Sequence, residues 1–249
     1  MSQDILIHTE AGVCTITLNR VDKKNSITAD MYAAMADALA TAEADAAVRV
    51  VVFQGDIAIF SAGNDIGDFL NKPPAGMNSP VFRFLHNLAA FPKPVVAAVC
   101  GPAVGIGTTM LFHCDYVLAS TTATFATPFI HLGLVPEGAS SLLMPQTMGY
   151  QRAFAMLVMG RTMTAADAHI AGFVNTVVAP GHTEVEAQKV ARDICRLPAE
   201  AVAIGRKLIR TAPDELTRRI DQEGYLFAER MTSEEAIGAF KAFLSRKKK

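Results

Sequence analysis

A single carboxylate stands in an apolar stretch of the chain, HLGLVPEGASSLL at residues 131–143. Glu137 lies there between Pro136 and Gly138. Two interpretations are open: Pro-Glu-Gly is an ordinary turn whose acid points into water, or the acid is the general base of an enzyme. A carboxylate surrounded by apolar groups loses hydration, which raises its pKa and makes it a competent base. This stretch alone does not decide between the two.

Two glycine-rich stretches follow predicted strands, FSAGNDIGDF at residues 60–69 and CGPAVGIGTTM at 100–110. Glycines between a strand and a helix allow backbone N–H groups to point at an anionic atom. Neither stretch matches a nucleotide loop. A P-loop needs lysine after its last glycine, where the chain has Thr108, and the dinucleotide motif needs glycine where it has Met110. Tight turns with close packing are the alternative for each stretch taken alone.

Alternating strand and helix patterns position these stretches. Residues 5–20 predict two strands around a Glu-Ala-Gly turn, and a helix follows from about Thr28. The apolar runs at 48–55 and 95–99 predict strands that are buried on both faces. Between them, the pair Ser79-Pro80 predicts the N-cap and first turn of a helix. This alternation predicts an α/β fold.

Beyond about residue 180 the pattern changes to helices only. The last predicted strand is at 174–179, and capping boxes are expected at 183–186 and 232–235. The chain shows no repeats and no flexible linker. We therefore predict one α/β core over residues 1–185, which contains the candidate site, and a helical region over residues 186–249.

The composition is that of a globular protein, with 51% apolar residues, 19% charged residues and a formal net charge of −1. This balance gives no reason to expect a nucleic-acid partner. The four cysteines lack CxxC spacing and are predicted to be reduced thiols, and the histidines form no metal-binding pattern. The chain shows no signal peptide and no apolar run of about 20 residues. We therefore expect a cytoplasmic protein with no metal and no membrane partner.

Three segments of the chain resemble the crotonase (enoyl-CoA hydratase/isomerase) superfamily. FSAGNDI (60–66) is similar to its motif F-x-A-G-x-D-[LI], and residues 92–120 are similar to its second signature, K-P-V-I-A-A-V-x-G-x-A-x-G-G-G. LNRVDKKNSI (18–27) is similar to its N-terminal element. The resemblance implies a crotonase-type ββα spiral with a C-terminal all-helical trimerisation region. It also implies a homotrimer or a dimer of trimers.

In that family, two backbone N–H groups hold the thioester oxygen of an acyl-CoA. The resemblance assigns these donors to Asn64 and Ile106. The middle glycine of the second motif is isoleucine here, so the N–H is kept while the side chain is expected to narrow the local space. Hydratases of the family use two glutamates, at the positions of Thr109 and Phe129. Neither side chain can act as a carboxylate base, which weakens the hydratase interpretation.

FATPFIHLGLVPEGASS (125–141) resembles the peroxisomal-type Δ3,Δ2-enoyl-CoA isomerases, whose single catalytic glutamate lies in L-G-x-x-P-E-G-x-S-S. The resemblance implies that Glu137 moves a proton from C2 to C4 of a 3-enoyl-CoA, in fatty acid β-oxidation or related acyl-CoA catabolism. A helix beginning at Ala139 would oppose the rise in the pKa of Glu137 through its dipole. The alternatives are a hydratase, another crotonase-family activity, and a non-catalytic protein that binds CoA thioesters.

The same resemblance implies which residues bind coenzyme A. Contacts with its phosphates and adenine are expected from Arg20, Lys23, Lys24, Ala62, Asp65 and Ile66. A solvated basic turn is the alternative for each lysine, and Asp65 is expected mainly to shape the loop. No cofactor is expected, because coenzyme A is part of the substrate.

Residues further along the chain are implied to surround the acyl group. Phe129 and Leu134 are expected in the acyl pocket. Phe240 and Lys241 are expected to complete the site of a neighbouring subunit.

Overall fold

The computed structural model describes residues 3–71, 76 and 78–246, and its first element is a hairpin. Strands β1 (Ile5–Glu10) and β2 (Val13–Leu18) pair antiparallel. Ala11 and Gly12 connect them with φ angles of 49° and 83°, a region that glycine adopts without strain. The predicted pair of strands around a Glu-Ala-Gly turn is confirmed.

Further strands complete two sheets. They are β3 (Val50–Gln54), β4 (Val95–Val99), β5 (Pro102–Val104), β6 (Tyr116–Ser120), β7 (Thr124–Ala126), β8 (Met163–Thr164) and β9 (Thr176–Val178). The larger sheet has six strands in the order β1-β2-β3-β4-β6-β9, all parallel after the first pair. The smaller sheet has three strands in the order β5-β7-β8. The predicted mixture of parallel strands and helices is confirmed.

Helices alternate with the strands and then occupy the C-terminal part. They are α1 (Ala29–Ala44), α2 (Ile66–Asn71), α3 (Pro80–Ala90), α4 (Ile106–Thr109), α5 (Ser140–Met148), α6 (Tyr150–Leu157), α7 (Ala165–Ala171), α8 (Thr183–Arg196), α9 (Ala199–Ile209), α10 (Pro213–Met231) and α11 (Glu234–Arg246). Short 3₁₀ turns lie at 21–23, 110–113 and 128–132. None of the helices in the described part of the chain is long and apolar enough to cross a membrane.

The central strands are buried on both faces, as predicted. In β3, Val51 and Phe53 belong to the main hydrophobic cluster. Val50 and Val52 belong to a second cluster on the opposite face, together with Ala187 of α8. Helix α8 therefore packs on the sheet although it spans the predicted boundary between residues 185 and 186. That boundary stays a prediction.

Local capping explains some helix starts but not others. Thr28 caps α1, since its hydroxyl accepts the Met31 N–H at 3.3 Å. Helix α3 begins at Pro80 as predicted, but the Ser79 hydroxyl has no partner among the described residues. Pro80 alone, with its φ already suited to a helix, therefore marks the first turn of α3.

The two predicted capping boxes in the C-terminal part are wrong. A capping box at 183–186 requires Thr183 to be the N-cap residue. Helix α8 instead begins at Thr183, its N-cap is His182, and no side chain caps it. At the second box, the hydroxyl of Ser233 accepts the Ala236 N–H at 3.2 Å, and Thr232 instead donates to the Glu229 carbonyl at 2.8 Å. Thr232 therefore ends α10, and the cap of α11 lies one residue later than predicted.

Candidate active site

Glu137 lies in the turn between the 3₁₀ segment 128–132 and α5, and it is buried. Only 8% of the residue is exposed, so the interpretation of a turn acid pointing into water is wrong. Its Oε1 accepts a hydrogen bond from the Thr109 hydroxyl at 2.5 Å. Thr109 is the last residue of α4 and lies within the second glycine-rich stretch. The structure thus joins the candidate base to one of the two predicted loops.

Burial makes Glu137 a weak acid. Desolvation raises the pKa of this carboxyl to about 8, and the negative charge of Glu223 adds to the rise. The hydrogen bond from Thr109 opposes it, because the charged form accepts that bond more strongly. A carboxyl with this pKa is divided between its charged and neutral forms near neutral pH, so it can both accept and return a proton.

Two distant side chains hold the turn that carries Glu137. Nε2 of His113 donates to the Gly138 carbonyl at 2.7 Å, and burial lowers the pKa of His113 to about 4, so the ring is neutral. On the other side, Glu223 of α10 accepts the Ala139 N–H at 2.6 Å. Ala139 has a φ of 59°, which costs a non-glycine residue about 1–2 kcal/mol. These contacts offset that strain.

The two glycine-rich stretches lie side by side. Ser61 and Ala103 form a parallel bridge, and the Val104 N–H donates to the Ser61 carbonyl at 2.9 Å. A Cβ on Gly63 would lie 2.7 Å from the Val104 carbonyl oxygen, and one on Gly105 would lie 4.0 Å from the Gly63 Cα. At position 63 only glycine allows the two backbones to approach this closely, whereas the distance at Gly105 is an ordinary contact.

The predicted thioester-binding N–H groups lie at this junction. Gly63 and Asp65 pair with the backbone of Ile27 on one side, so the intervening Asn64 N–H points to the opposite side. The Ile106 N–H is at the first residue of α4, where no intrahelical acceptor exists. The Ile106 side chain is fully buried in the main cluster. The expected narrowing of the local space by this side chain stays a prediction.

A small apolar cavity of about 40 Å³ lies between the first glycine-rich loop and the turn that carries Glu137. Asn64 lines it from the first loop, and Glu137 with Gly138 lines it from the base turn. The rest of its wall comes from α2, α3 and α10, through Phe69, Val81, Phe82, Leu85, Ile220, Gly224 and Phe227. Sequence reasoning missed these wall residues, because their helical apolar pattern is the same as that of ordinary core residues.

Phe129 and Leu134, predicted as acyl-pocket residues, are buried but are not part of this cavity wall among the described residues. The Phe129 ring packs edge to face against Phe227, with centroids 6.3 Å apart. Phe129 therefore supports the wall from behind, and Phe227 presents its surface to the cavity. The assignment of Phe129 and Leu134 to the acyl pocket stays a prediction.

The predicted CoA-binding residues cluster around the first loop. Arg20 donates to Asp65 at 2.8 Å, Ala62 donates its N–H to the Lys24 carbonyl at 2.9 Å, and Ile66 begins α2. Burial raises the pKa of Asp65, but the hydrogen bond from Arg20 and further bonds outweigh it and leave the pKa lowered. Asp65 thus shapes the loop as expected.

The charges in this cluster are not equally free. Arg20 is paired and only 18% of its side chain is exposed, whereas Lys23 and Lys24 are exposed. A phosphate would therefore meet the lysines more readily than the arginine. Their role in CoA binding stays a prediction.

The C-terminal residues predicted to reach a neighbouring subunit differ from each other. Phe240 is buried within its own chain, in the main cluster, and Lys241 is exposed. Phe240 is therefore a core residue of its own chain, because α11 packs on the 3₁₀ segment 128–132. In the part of the chain that the structure covers, no three His, Cys, Asp or Glu side chains are placed to share a metal ion.

Comparison with known proteins gives consistent results. A family model described as enoyl-CoA hydratase/isomerase matches residues 8–249. The structure of Pseudomonas aeruginosa OdaA superposes with a TM-score of 0.93 at 44% sequence identity, covering 97% of this chain and 99% of that one.

Two curated relatives are enoyl-CoA delta isomerase 2 from Rattus norvegicus and from Homo sapiens. They are 38% and 36% identical to the chain and align with 100% and 99% of it. The chain spans only 65% and 64% of their lengths. The similarity therefore covers the whole of this chain and about two thirds of each relative.

Proposed function

Because the chain belongs to the enoyl-CoA hydratase/isomerase family and has its crotonase fold, we propose that it is an enoyl-CoA isomerase that converts 3-enoyl-CoA to 2-enoyl-CoA. The observation that carries the proposal is the cavity lined by both Asn64 and Glu137. It brings a backbone donor loop and one desolvated carboxylate to the same apolar space. Enoyl-CoA delta isomerases among the relatives support the same reaction.

In the proposed mechanism, the charged form of Glu137 removes one proton from C2 of the substrate. The electrons of that C–H bond pass into the thioester, and the Asn64 and Ile106 N–H groups stabilise the resulting dienolate oxygen. The protonated Glu137 then returns the proton at C4, which shifts the double bond to C2–C3. The raised pKa of Glu137 helps the first step, because a carboxylate with a higher pKa is a stronger base.

The alternative within the family is hydration, which needs a second carboxylate to activate water. Thr109 and Phe129 occupy the positions of the two hydratase glutamates. The Thr109 hydroxyl donates its hydrogen bond to Glu137, and Phe129 packs against Phe227. Neither side chain can take a proton from water, which supports isomerisation over hydration.

The test compares two reactions of the same purified protein. We expect turnover of 3-hexenoyl-CoA to 2-hexenoyl-CoA with a kcat/KM far above that for hydration of crotonyl-CoA. Comparable or faster hydration would contradict the isomerase assignment. Binding of both thioesters without any turnover would instead favour a CoA-thioester binding protein.

We also propose that the chain forms a homotrimer, or a dimer of two trimers, in the cytoplasm. The apolar side chains of Leu208 and Ile209 on α9 are 80% and 88% exposed in the single chain, and such surface is typical of an assembly interface. Light scattering should give a mass of three or six chains, and Leu208→Glu should reduce it. A wild-type monomer at micromolar concentration would contradict this proposal.

A further inference from the structure

A second buried carboxylate lies beside the candidate base and has no part in the proposed proton transfer. Glu223 of α10 is 5% exposed. Its Oε2 accepts the Ala139 N–H at 2.6 Å, and its Oε1 accepts the Ser141 N–H at 2.9 Å. Both oxygens are therefore directed at the backbone immediately after Glu137 and not at the cavity, whose wall in the described residues does not include Glu223.

These N–H groups belong to the start of α5, whose positive end would otherwise face Glu137. The first N–H groups of a helix have no intrahelical acceptor, and together they carry a partial positive charge. Such a charge next to Glu137 would favour its ionised form and make it a weaker base. Here the Ser140 N–H bonds to the Glu137 carbonyl at 3.2 Å, and the N–H groups of Ala139 and Ser141 bond to Glu223. The carboxyl group of Glu223 thus lies at the positive end of α5.

We propose that Glu223 is a positioning residue for the base: its carboxylate holds the turn that carries Glu137 and balances the positive end of α5 beside it. The inference rests on the proposed function, because only proton transfer by Glu137 gives this arrangement a catalytic purpose. This role of Glu223 explains how Glu137 remains a good base although it lies one turn before helix α5.

Helix α10 connects this turn to the wall of the cavity. Ile220, Gly224 and Phe227 line the cavity from the same helix, at three residues before and one and four residues after Glu223. This spacing places all four on one side of the helix. One rigid element therefore sets both the position of the base turn and the surface that faces the acyl group.

The remaining charged and titratable groups around the turn do not replace Glu223. Arg219, one turn earlier on α10, donates to the Ser141 hydroxyl at 3.0 Å and favours the charged form of Glu223. Asp221 is paired with His86 of α3 at 2.8 Å. From the other elements, Thr109 and the neutral rings of His113 and Tyr32 face the turn.

Among these groups, Glu223 contributes the negative charge that disfavours the ionised form of Glu137. Burial also raises the pKa of Glu223 itself, while its backbone hydrogen bonds and Arg219 oppose the rise. The charged Glu223 is the form whose two oxygens are both acceptors, as its contacts with Ala139 and Ser141 require.

The test is a substitution that removes the charge of Glu223 and keeps the shape of its side chain. Glu223→Gln should lower the midpoint of the pH profile of kcat/KM for 3-hexenoyl-CoA by about 1 pH unit, since a nearby like charge is removed. The matched control is Asp221→Asn, which removes a carboxylate from the same helix without touching the Glu137 turn and should leave the midpoint unchanged. A titration of the Glu137 carboxyl by infrared difference spectroscopy, assigned with Glu137→Gln, should show the same shift.

The infrared titration separates this inference from the proposed function. If the wild type does not isomerise 3-hexenoyl-CoA but Glu223→Gln still lowers the titration midpoint of Glu137, the isomerase assignment fails and the role of Glu223 stands. A folded Glu223→Gln protein with an unchanged midpoint would overturn the inference.

A second variant decides the matter if Glu223→Gln does not fold. Glu223→Asp keeps the charge but shortens the reach to Ala139 and Ser141, so the midpoint should stay near that of the wild type while kcat falls about tenfold from the displaced turn. A folded Asp variant with wild-type kcat would show that the turn does not depend on Glu223, and would also overturn the inference.

Discussion

The two halves of the candidate site are built in different ways. The donor half consists of two loops that hold each other through backbone bonds, such as the Val104 N–H to the Ser61 carbonyl at 2.9 Å. The base half is a single side chain, Glu137, held by side chains from elsewhere in the chain. Thr109 contacts its carboxylate, while His113 and Glu223 hold the backbone that follows it.

This difference predicts how each half responds to substitution. A donor made of backbone N–H groups tolerates a change of side chain, as at Ile106, where the related motif has glycine. It does not tolerate a change that moves the backbone. The base half should depend on one carboxylate and on a few contacts that tune it. The expected effect of a substitution on activity is therefore largest at Glu137 and smallest at Tyr32.

Glu137→Gln should have the largest effect. Gln has nearly the same size but cannot accept the C2 proton, so kcat should fall about 10²–10⁴-fold. Acyl-CoA affinity should change little, because the donor half is intact. Turnover of 3-hexenoyl-CoA and calorimetric binding of the product thioester would be measured on one preparation, with the exposed Glu10→Gln as the control. Retention of most activity would identify Glu137 as a structural residue only.

The same variant should change how stability depends on pH. The folded pKa of Glu137, about 8, is above its ordinary value of 4.5. Between these two values the folded protein keeps a proton that the unfolded chain has lost, so the stability of the wild type declines as pH rises through this window. Glu137→Gln lacks this decline. Its Tm relative to the wild type should therefore increase from pH 4.5 to pH 8; a constant difference would contradict the raised pKa.

Gly63→Ala should disrupt the donor half through its backbone. Gly63 has a φ of 83°, and a Cβ there would lie 2.7 Å from the Val104 carbonyl oxygen. We expect kcat/KM to fall about 10²-fold, at the lower end of the range for losing an oxyanion donor. Gly238→Ala is the control, since a Cβ at this position in α11 meets nothing within 4 Å, and it should stabilise the protein by about 0.5–1 kcal/mol. Full activity of Gly63→Ala would show that the loops adapt.

Thr109→Val should tune the base without removing it. Its hydroxyl donates to Glu137 at 2.5 Å and lowers the pKa of that carboxyl. Without this bond, the midpoint of the kcat/KM profile should rise by about 0.5–1 pH unit, equivalent to one net hydrogen bond of about 1 kcal/mol. Thr109→Ser, which keeps the hydroxyl, should retain the wild-type midpoint. A shift to lower pH in the Val variant would mean that the bond favours the neutral acid.

Tyr32→Phe should have the smallest effect. The Tyr32 hydroxyl donates to the Asn64 Oδ1 at 2.6 Å, and burial raises the pKa of Tyr32 well above its ordinary value, so it stays a donor. This bond fixes the Asn64 side chain, whereas the thioester is expected to use the backbone N–H. We expect a loss of about threefold or less in kcat/KM. A loss as large as that of Gly63→Ala would show that the donor half also depends on a side chain.

Short-range features of the fold could be predicted because their causes are local. The β1–β2 hairpin follows from alternating apolar residues around Ala11-Gly12, and the start of α1 follows from its Thr28 cap. Cap positions near the C-terminus could not be predicted as well, because packing selects between adjacent candidates. Ser233 rather than Thr232 caps α11, where Ala236 packs against Gly133 closely enough that a Cβ on Gly133 would lie 2.8 Å from the Ala236 nitrogen.

The sequence by itself determined which backbone stretches form the donor loops and which carboxylate is the candidate base. The loops and the carboxylate both belong to short motifs of glycine, proline and glutamate, whose conformations depend on neighbouring residues. The tertiary structure alone decided that Glu137 is buried and its pKa therefore raised, that Thr109 and Glu223 adjust that pKa, and that α3 and α10 wall the cavity. These properties depend on desolvation and on contacts between residues far apart in the chain. Such contacts exist only once the helices have packed over the sheet.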